Sequence, residues 1–360
     1  MEVLKFLSSN KIEELQKYHV KIKEYPEHNL AVLNYDQINS PKFHPIVQEC
    51  RGLIIDTKNI KLVSRSFNRF FNLNERQDDP FDFNNKFIAE EKADGSLITV
   101  YYFNGLWRIA TRGNAFAEGK TTSGITFYDL FESVIGCNIN EFMKNEPTYY
   151  SYVFELCSIH NKVVKLYKEP VIYLLSIYDL RERKEIDREY INMTANRLGV
   201  KRPFIYNINS INDIHISFKD FDPTEEGYVL IDKNKNRIKV KNPAYVDLHH
   251  LKGNGEITPK RIANVIFRGE TEEVLSYFPE YEEFFMPYQQ AYDKLMNSLY
   301  TKWEELKNES LTQKEFALKI KDYPAKSILF SLRNGLTIDE IMNNLSSNAK
   351  INLLENFKRS

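Results

Sequence analysis

A change of hydrophobic period is the strongest limit on what this chain can fold into. Over residues 31–240 the apolar residues fall in short runs rich in Val, Ile, Tyr and Phe, and after about residue 245 they recur at helical spacing. The first stretch predicts mainly strand. The second predicts helices, among them 260–267, 271–278 and a long one over 288–306. Residues 1–20 also carry helical spacing, through Val3, Leu4, Leu7, Ile12 and Leu15. Asn104-Gly105, set between two apolar runs, predicts a tight hairpin turn, and the polar residues 232–236 predict a second. The expected architecture is α+β: an antiparallel-sheet domain over 1–245, then an all-helical domain over 246–360.

With 42% apolar and 13% aromatic residues in 360, the chain can bury a sizeable core. Its formal net charge of -1 means that any nucleic-acid contact must come from a local basic face. Cys50, Cys137 and Cys157 form no CxxC pair and are odd in number, which argues against a disulfide framework or a zinc site and for a reducing, cytoplasmic compartment. No run of 18 apolar residues occurs, so a soluble protein with no membrane partner is expected.

Four segments carry candidate chemistry. Lys92 ends the run Phe87-Ile88-Ala89-Glu90-Glu91, and Asp94-Gly95 follows before the next strand, so a turn presents the lysine. Gly95 is expected there for its tolerance of positive φ. A charged hairpin turn would read the same way. In Arg237-Ile238-Lys239-Val240-Lys241, alternation puts Lys239 and Lys241 on one face, roughly 7 Å apart, with Ile238 and Val240 turned into a core. Such a pair suits phosphate, and equally a solvated edge strand. Glu155, inside Tyr152-Val153-Phe154-Glu155-Leu156-Cys157, is a carboxylate in an apolar strand and calls for a partner, in an ion pair or on a ligand. Arg51, Arg65 and Arg69 stand beside apolar runs, where a planar guanidinium fits phosphate or carboxylate.

Taken in order, Glu49-Cys50-Arg51-Gly52, Arg69-Phe70-Phe71-Asn72-Leu73-Asn74-Glu75, Lys92-Ala93-Asp94-Gly95-Ser96-Leu97, Phe154-Glu155-Leu156, Glu226-Gly227-Tyr228-Val229 and Lys239-Val240-Lys241 resemble the covalent nucleotidyltransferases. The nearest likeness is to the RNA ligase 1 family, typified by bacteriophage tRNA-repair ligases, over about residues 30–250. The resemblance implies an ATP-grasp-like ligase fold and an ATP-dependent joining of RNA 5'-phosphate and 3'-hydroxyl ends. It implies that Lys92 becomes adenylated, that Glu90 lies near the adenine, that Arg51 steadies the nucleotide and the RNA 5'-phosphate, and that Glu155 binds the ribose. Lys239 and Lys241 would hold the α-phosphate, and Glu226 would act through metal-bound water. Tyr35 matches a tyrosine lining the ATP pocket. Arg69 and Arg112 stand where lysines are familiar, keeping charge but changing reach.

Lysine attacks phosphorus only when neutral, and the cations Lys239, Lys241 and Arg51 would penalise its charged form. Magnesium is the expected ion, held mostly through water. Glu272, with Glu273, aligns with an acidic pair of the family's helical domain and is a further metal candidate; acidic residues also favour a helix N-terminus. The segment 113–121 resembles a phosphate-binding loop, but five residues separate its glycines where four are required, so it reads as a loop. The histidines, including His249-His250, show no metal pattern, and Cys157 reads as a small buried residue.

The rival readings are a DNA ligase, an mRNA capping guanylyltransferase and a non-catalytic RNA-binding relative. The first two usually add an OB-fold after the Lys-x-Lys strand, where this chain turns helical. A monomer acting on RNA, with cleaved tRNA as one candidate, is expected, the RNA ends being prepared by a separate healing enzyme.

Overall fold

The computed structural model describes residues 1–76, 79–161, 165, 167–222, 224–246, 257–277 and 279–359. The chain divides into two compact units, Met1–Tyr245 and Val246–Ser360.

Among the described residues the first unit holds three sheets. One is an antiparallel sheet of β1 (Val20–Tyr25), β2 (Leu30–Tyr35), β3 (Arg51–Asp56) and β4 (Lys61–Ser64), in that order. The second draws on β5 (Phe71–Asn72), β6 (Ile88–Glu91), β12 (Ile205–Tyr206), β13 (Gly227–Ile231) and β14 (Arg237–Lys241), ordered β12-β6-β13-β14-β5. The third, ordered β11-β10-β9-β7-β8, holds β7 (Ser96–Phe103), β8 (Leu106–Thr111), β9 (Tyr150–Cys157), β10 (Val171–Asp179) and β11 (Lys184–Glu185). Among the described strand pairs, β5 with β14 is parallel and the rest are antiparallel. Asn104 and Gly105, at φ 50° and 79°, close the β7–β8 hairpin as their dipeptide predicts.

The stretch 31–240 is less purely strand than its runs of Val, Ile, Tyr and Phe suggest. Helices Pro45–Glu49, Phe127–Ile135, Ile139–Phe142, Arg188–Leu198 and Ile211–Ser217 interrupt it. The cause is tertiary, since a sheet face lined by Ile98, Val100, Phe154 and Ile177 must be covered, and Leu130, Phe131, Ile191 and Ala195 cover it. Thr126 fixes where one of these helices begins, its Oγ1 accepting from Asp129 N at 3.0 Å, a cap worth about 1 kcal/mol. Ahead of the first sheet, helix Glu2–Leu7 and the 3-10 turn Ile12–Tyr18 seat Val3, Leu7 and Leu15 on Leu33, Leu53 and Ile55.

The described part of the second unit is helical, with helices Pro259–Phe267, Thr271–Tyr277, Glu282–Leu306, Gln313–Lys319, Lys326–Arg333, Ile338–Asn344 and Ser347–Arg359. Thr312 and Thr337 each begin a helix through a reciprocal capping box with Glu315 and Glu340. The long helix buries Phe285, Tyr288, Tyr292, Leu295 and Leu299 along one stripe. Phe278 and the His249-His250 pair lie outside the described residues. Cys50, Cys137 and Cys157 are free, and no described helix is long and apolar enough to cross a membrane.

Candidate active site

Strand β6 delivers Lys92 to its place. The Lys92 N–H donates to Gly227 O at 2.9 Å, so the first residue past the strand is still fastened to β13. The turn after it is locked by a buried carboxylate: Asp94 Oδ2 accepts from Lys165 N at 2.7 Å, and Oδ1 accepts from the Tyr245 hydroxyl at 3.2 Å. Gly95 is required for a different reason from the one its turn position suggests. Its φ is not among the positive ones, but a Cβ there would sit 2.4 Å from Leu156 O on β9. Close backbone approach, not a left-handed turn, excludes a side chain.

Lys92 Nζ lies 2.6 Å from Glu226 Oε2, and the other oxygen of Glu226 lies 3.4 Å from Lys241 Nζ. The direct partner of Lys92 is therefore a carboxylate, Glu226, which the sequence reading places at the site only through metal-bound water. The alternation in β14 is realised as read. Ile238 and Val240 are buried in an apolar cluster, while Lys239 and Lys241 line a cavity of about 260 Å³. Arg51, Glu90, Lys92 and Glu155 line it as well.

Arg51 brings an unpaired donor to this cavity. Its guanidinium lies 4.9 Å from the Phe70 ring, and Nη1 is buried with no hydrogen-bond partner among the described residues. Burial, and to a lesser degree Arg112, hold its pKa below the usual arginine range. Such a donor calls for an acceptor, which a phosphate oxygen would supply. Glu155, on β9, does not form the ion pair that was one of the two partners expected for it, since no hydrogen bond or ion pair reaches its carboxylate among the described residues. Burial pushes its pKa up to about 7, helped by Glu226 and Asp94 and opposed by Lys92 and Arg51. A carboxyl poised in this way can serve a ligand hydroxyl.

Glu90 reaches the cavity wall with Oε1 already engaged, 2.5 Å from Arg188 Nη2 and 3.2 Å from Arg202 Nη2. Tyr35, Arg69 and Arg112 are not among the residues lining the cavity; they cluster beside Arg51. The Arg69 and Arg112 guanidiniums lie 4.2 and 5.5 Å from the Tyr35 ring. Burial alone would raise the Tyr35 phenol, but Arg51, Arg112, Arg69 and Lys239 hold it below its usual range. Gly52, at φ 70°, lets the Arg112 backbone approach; a Cβ there would meet Arg112 Cα at 2.9 Å. Glu272 is exposed on helix Thr271–Tyr277 of the second unit. Among the described residues no group of three or more His, Cys, Asp or Glu side chains could hold a metal ion.

Among the lining residues to which the sequence reading gave no role are Phe67, Phe70 and Arg237. Arg237 could have been found, because the alternation that pairs Lys239 with Lys241 also places it on their face. Its Nη1 donates to Glu185 Oε2 at 2.8 Å, and its guanidinium lies 4.3 Å from the Phe67 ring. The two phenylalanines sit in an irregular segment with no period to betray them.

The cavity thus brings Lys92, in contact with Glu226, together with Arg51, Arg237, Lys239 and Lys241 and with the carboxylates of Glu90, Glu91 and Glu155. Residues 49–245, more than half of the chain, match the model of a family described as RNA ligase. A putative bifunctional polynucleotide kinase/RNA ligase of Autographa californica nuclear polyhedrosis virus is 32% identical, over 94% of this chain and 50% of that protein. An RNA ligase of Rhodothermus phage RM378 is 24% identical, over 79% of this chain and 81% of that one. A solved archaeal ATP-dependent RNA ligase is similar with a TM-score of 0.49 and 12% identity, over 73% of this chain and 68% of that one. The chain belongs to the RNA ligase family. It spans about half the length of the nuclear polyhedrosis virus protein it matches.

Proposed function

We propose that this chain is an ATP-dependent RNA ligase that joins 5'-phosphate and 3'-hydroxyl RNA ends through a lysyl-AMP on Lys92. The observation that carries the reading is Lys92 Nζ, 2.6 Å from Glu226 Oε2, in a cavity also lined by Arg51, Lys239 and Lys241. Lys92 passes its proton to Glu226 and attacks the α-phosphorus of ATP, forming the N–P bond as the P–O bond to pyrophosphate breaks. Lys239, Lys241 and Arg51 hold the charge that spreads over the transferred group. The unpaired Nη1 of Arg51 and the Phe70 ring fit a nucleotide. Glu155 takes the ribose hydroxyls, and Glu90 faces the base. Arg69 and Arg112 support Arg51 and Tyr35 from behind the cavity.

AMP then passes from Lys92 to the 5'-phosphate of RNA, and a 3'-hydroxyl displaces it. Magnesium would screen the phosphates, its water shell held in part by Glu226 beside Lys92. Glu272 would be a further metal contact within the helical unit. The helical unit selects the RNA, and a cleaved tRNA is the substrate proposed, in the cytoplasm and with the chain acting as a monomer. A separate healing enzyme would supply the 5'-phosphate where cleavage leaves a 5'-hydroxyl, and the name of the Autographa californica nuclear polyhedrosis virus relative pairs a polynucleotide kinase with an RNA ligase.

The test is conversion of a 5'-labelled, 5'-phosphorylated single strand to a phosphatase-resistant circle with ATP and magnesium. RNA strands should circularise and DNA strands of the same sequence should not. Sealing of DNA alone would defeat the RNA assignment.

A further inference from the structure

Beside the Lys92 cavity lies a second one, of about 160 Å³, and Phe67, Phe70 and Arg237 line both. Its other walls carry Arg65, Arg69, Arg76 and Lys235, against the carboxylates of Asp79 and Glu185. Arg237 is paired with Glu185 and Lys235 lies 3.5 Å from Asp187, and the described lining still carries five cations against two carboxylates, in a chain whose formal net charge is -1. This is the local basic face that a near-neutral protein needs to meet a polyanion.

The groove is held in shape by the protein itself. In the irregular segment between β4 and β5, Arg65 N donates to Ser151 Oγ at 3.2 Å, Ser66 Oγ to Arg51 O at 2.8 Å, and Arg69 N to Gln48 O at 2.7 Å. Opposite, the Lys235 ammonium donates to the backbone carbonyls of Glu185 and Ile186 at 2.6 and 3.1 Å. Half-buried Phe67 and Phe70 stand where the groove meets the first cavity. Cations interleaved with aromatic faces are the chemistry that tracks a single nucleic-acid strand.

We propose that this groove seats the 5'-phosphorylated RNA strand, its phosphates on Arg65 and Arg76 and its terminal phosphate at the wall shared with the Lys92 cavity, while Lys235 holds the wall in shape. The proposal rests on the ligase reading and adds to it the route by which the second substrate enters. The triphosphate tail of ATP has the same phosphate chemistry and is the other possible occupant. A strand that must meet an adenylate on Lys92 explains why the groove abuts that cavity and carries aromatic rings as well as cations.

Arg76 is the side chain to test: it is partly exposed and lies 5.2 Å from the Phe43 ring. Binding of a 5'-phosphorylated, 3'-fluorescent RNA decamer is measured by anisotropy for wild type, Arg76→Glu and Arg76→Lys. Arg76→Glu should raise Kd at least tenfold at about 50 mM salt and make the salt dependence shallower by about 0.7 per lost phosphate contact. Arg76→Lys should stay within about threefold of wild type and shows that the charge, not the fold, is read. In parallel, the KM for ATP in lysyl-adenylate formation should be unchanged in Arg76→Glu. An unchanged RNA Kd in Arg76→Glu overturns the proposal. A raised KM for ATP with unchanged RNA binding assigns the groove to the triphosphate tail and overturns it too. RNA binding that depends on Arg76 in a protein forming no lysyl-adenylate would support the groove and defeat the ligase reading alone.

Discussion

Lys92 Nζ and Glu226 Oε2 are 2.6 Å apart, so the proposed nucleophile rests on the nearest group able to take its proton. The second oxygen of Glu226 faces Lys241, which ties the carboxylate to the strand carrying the lysine pair. Glu226→Gln keeps the shape and loses the acceptor. Single-turnover adenylylation should fall by about 10²- to 10⁴-fold, with little change in the KM for ATP. A glutamine variant at the wild-type rate would reduce Glu226 to a tether.

Lys239 and Lys241 contribute charge at the same cavity. Replacing either by Met, which keeps the stem and removes the ammonium, should slow lysyl-AMP formation by about 10²- to 10³-fold. Quench-flow with labelled ATP measures this directly. Rates within twofold of wild type would remove the pair from the phosphate site.

Much of this could be read before any fold was known, and the residues show why. The face shared by Lys239 and Lys241 follows from strand geometry, and the Asn104-Gly105 hairpin from two residues that accept positive φ. Glu226 as the partner of Lys92 could not be read, since 134 positions separate them and only the pairing of β6 with β13 brings them together. Gly95 was legible as a required glycine but not for its actual cause, because the approach of Leu156 is set by β7 pairing with β9. The helices crossing the strand-rich stretch were hidden for the same reason, since the need to cover a sheet face is not visible in any one segment.

Gly95→Ala should be costly. Its Cβ would meet Leu156 O at 2.4 Å and Cys157 Sγ at 2.7 Å, so β7 or β9 must shift, at about 1–3 kcal/mol. Gly113→Ala is the control, with nothing within 4 Å of the added carbon. Denaturant midpoints should drop for the first and not for the second; equal midpoints would show that the strands adjust freely.

Glu155 predicts a pH dependence. Its folded pKa, about 7, lies above the ordinary 4.5, so its contribution to stability is fully present below about pH 4.5 and is lost as pH rises through about 7. Between those limits the ligand-free wild type should lose up to roughly 3 kcal/mol relative to Glu155→Gln. Urea unfolding of both proteins from pH 5 to 8 tests this. Parallel profiles would mean that Glu155 ionises normally.

The covalent step on Lys92 is tested most directly by intact and peptide mass spectrometry after incubation with ATP and magnesium. The account predicts one added AMP on wild type, mapped to the peptide containing Lys92, released by acid and absent from Lys92→Ala. An adduct that persists in Lys92→Ala, or wild type that never acquires one, would contradict it.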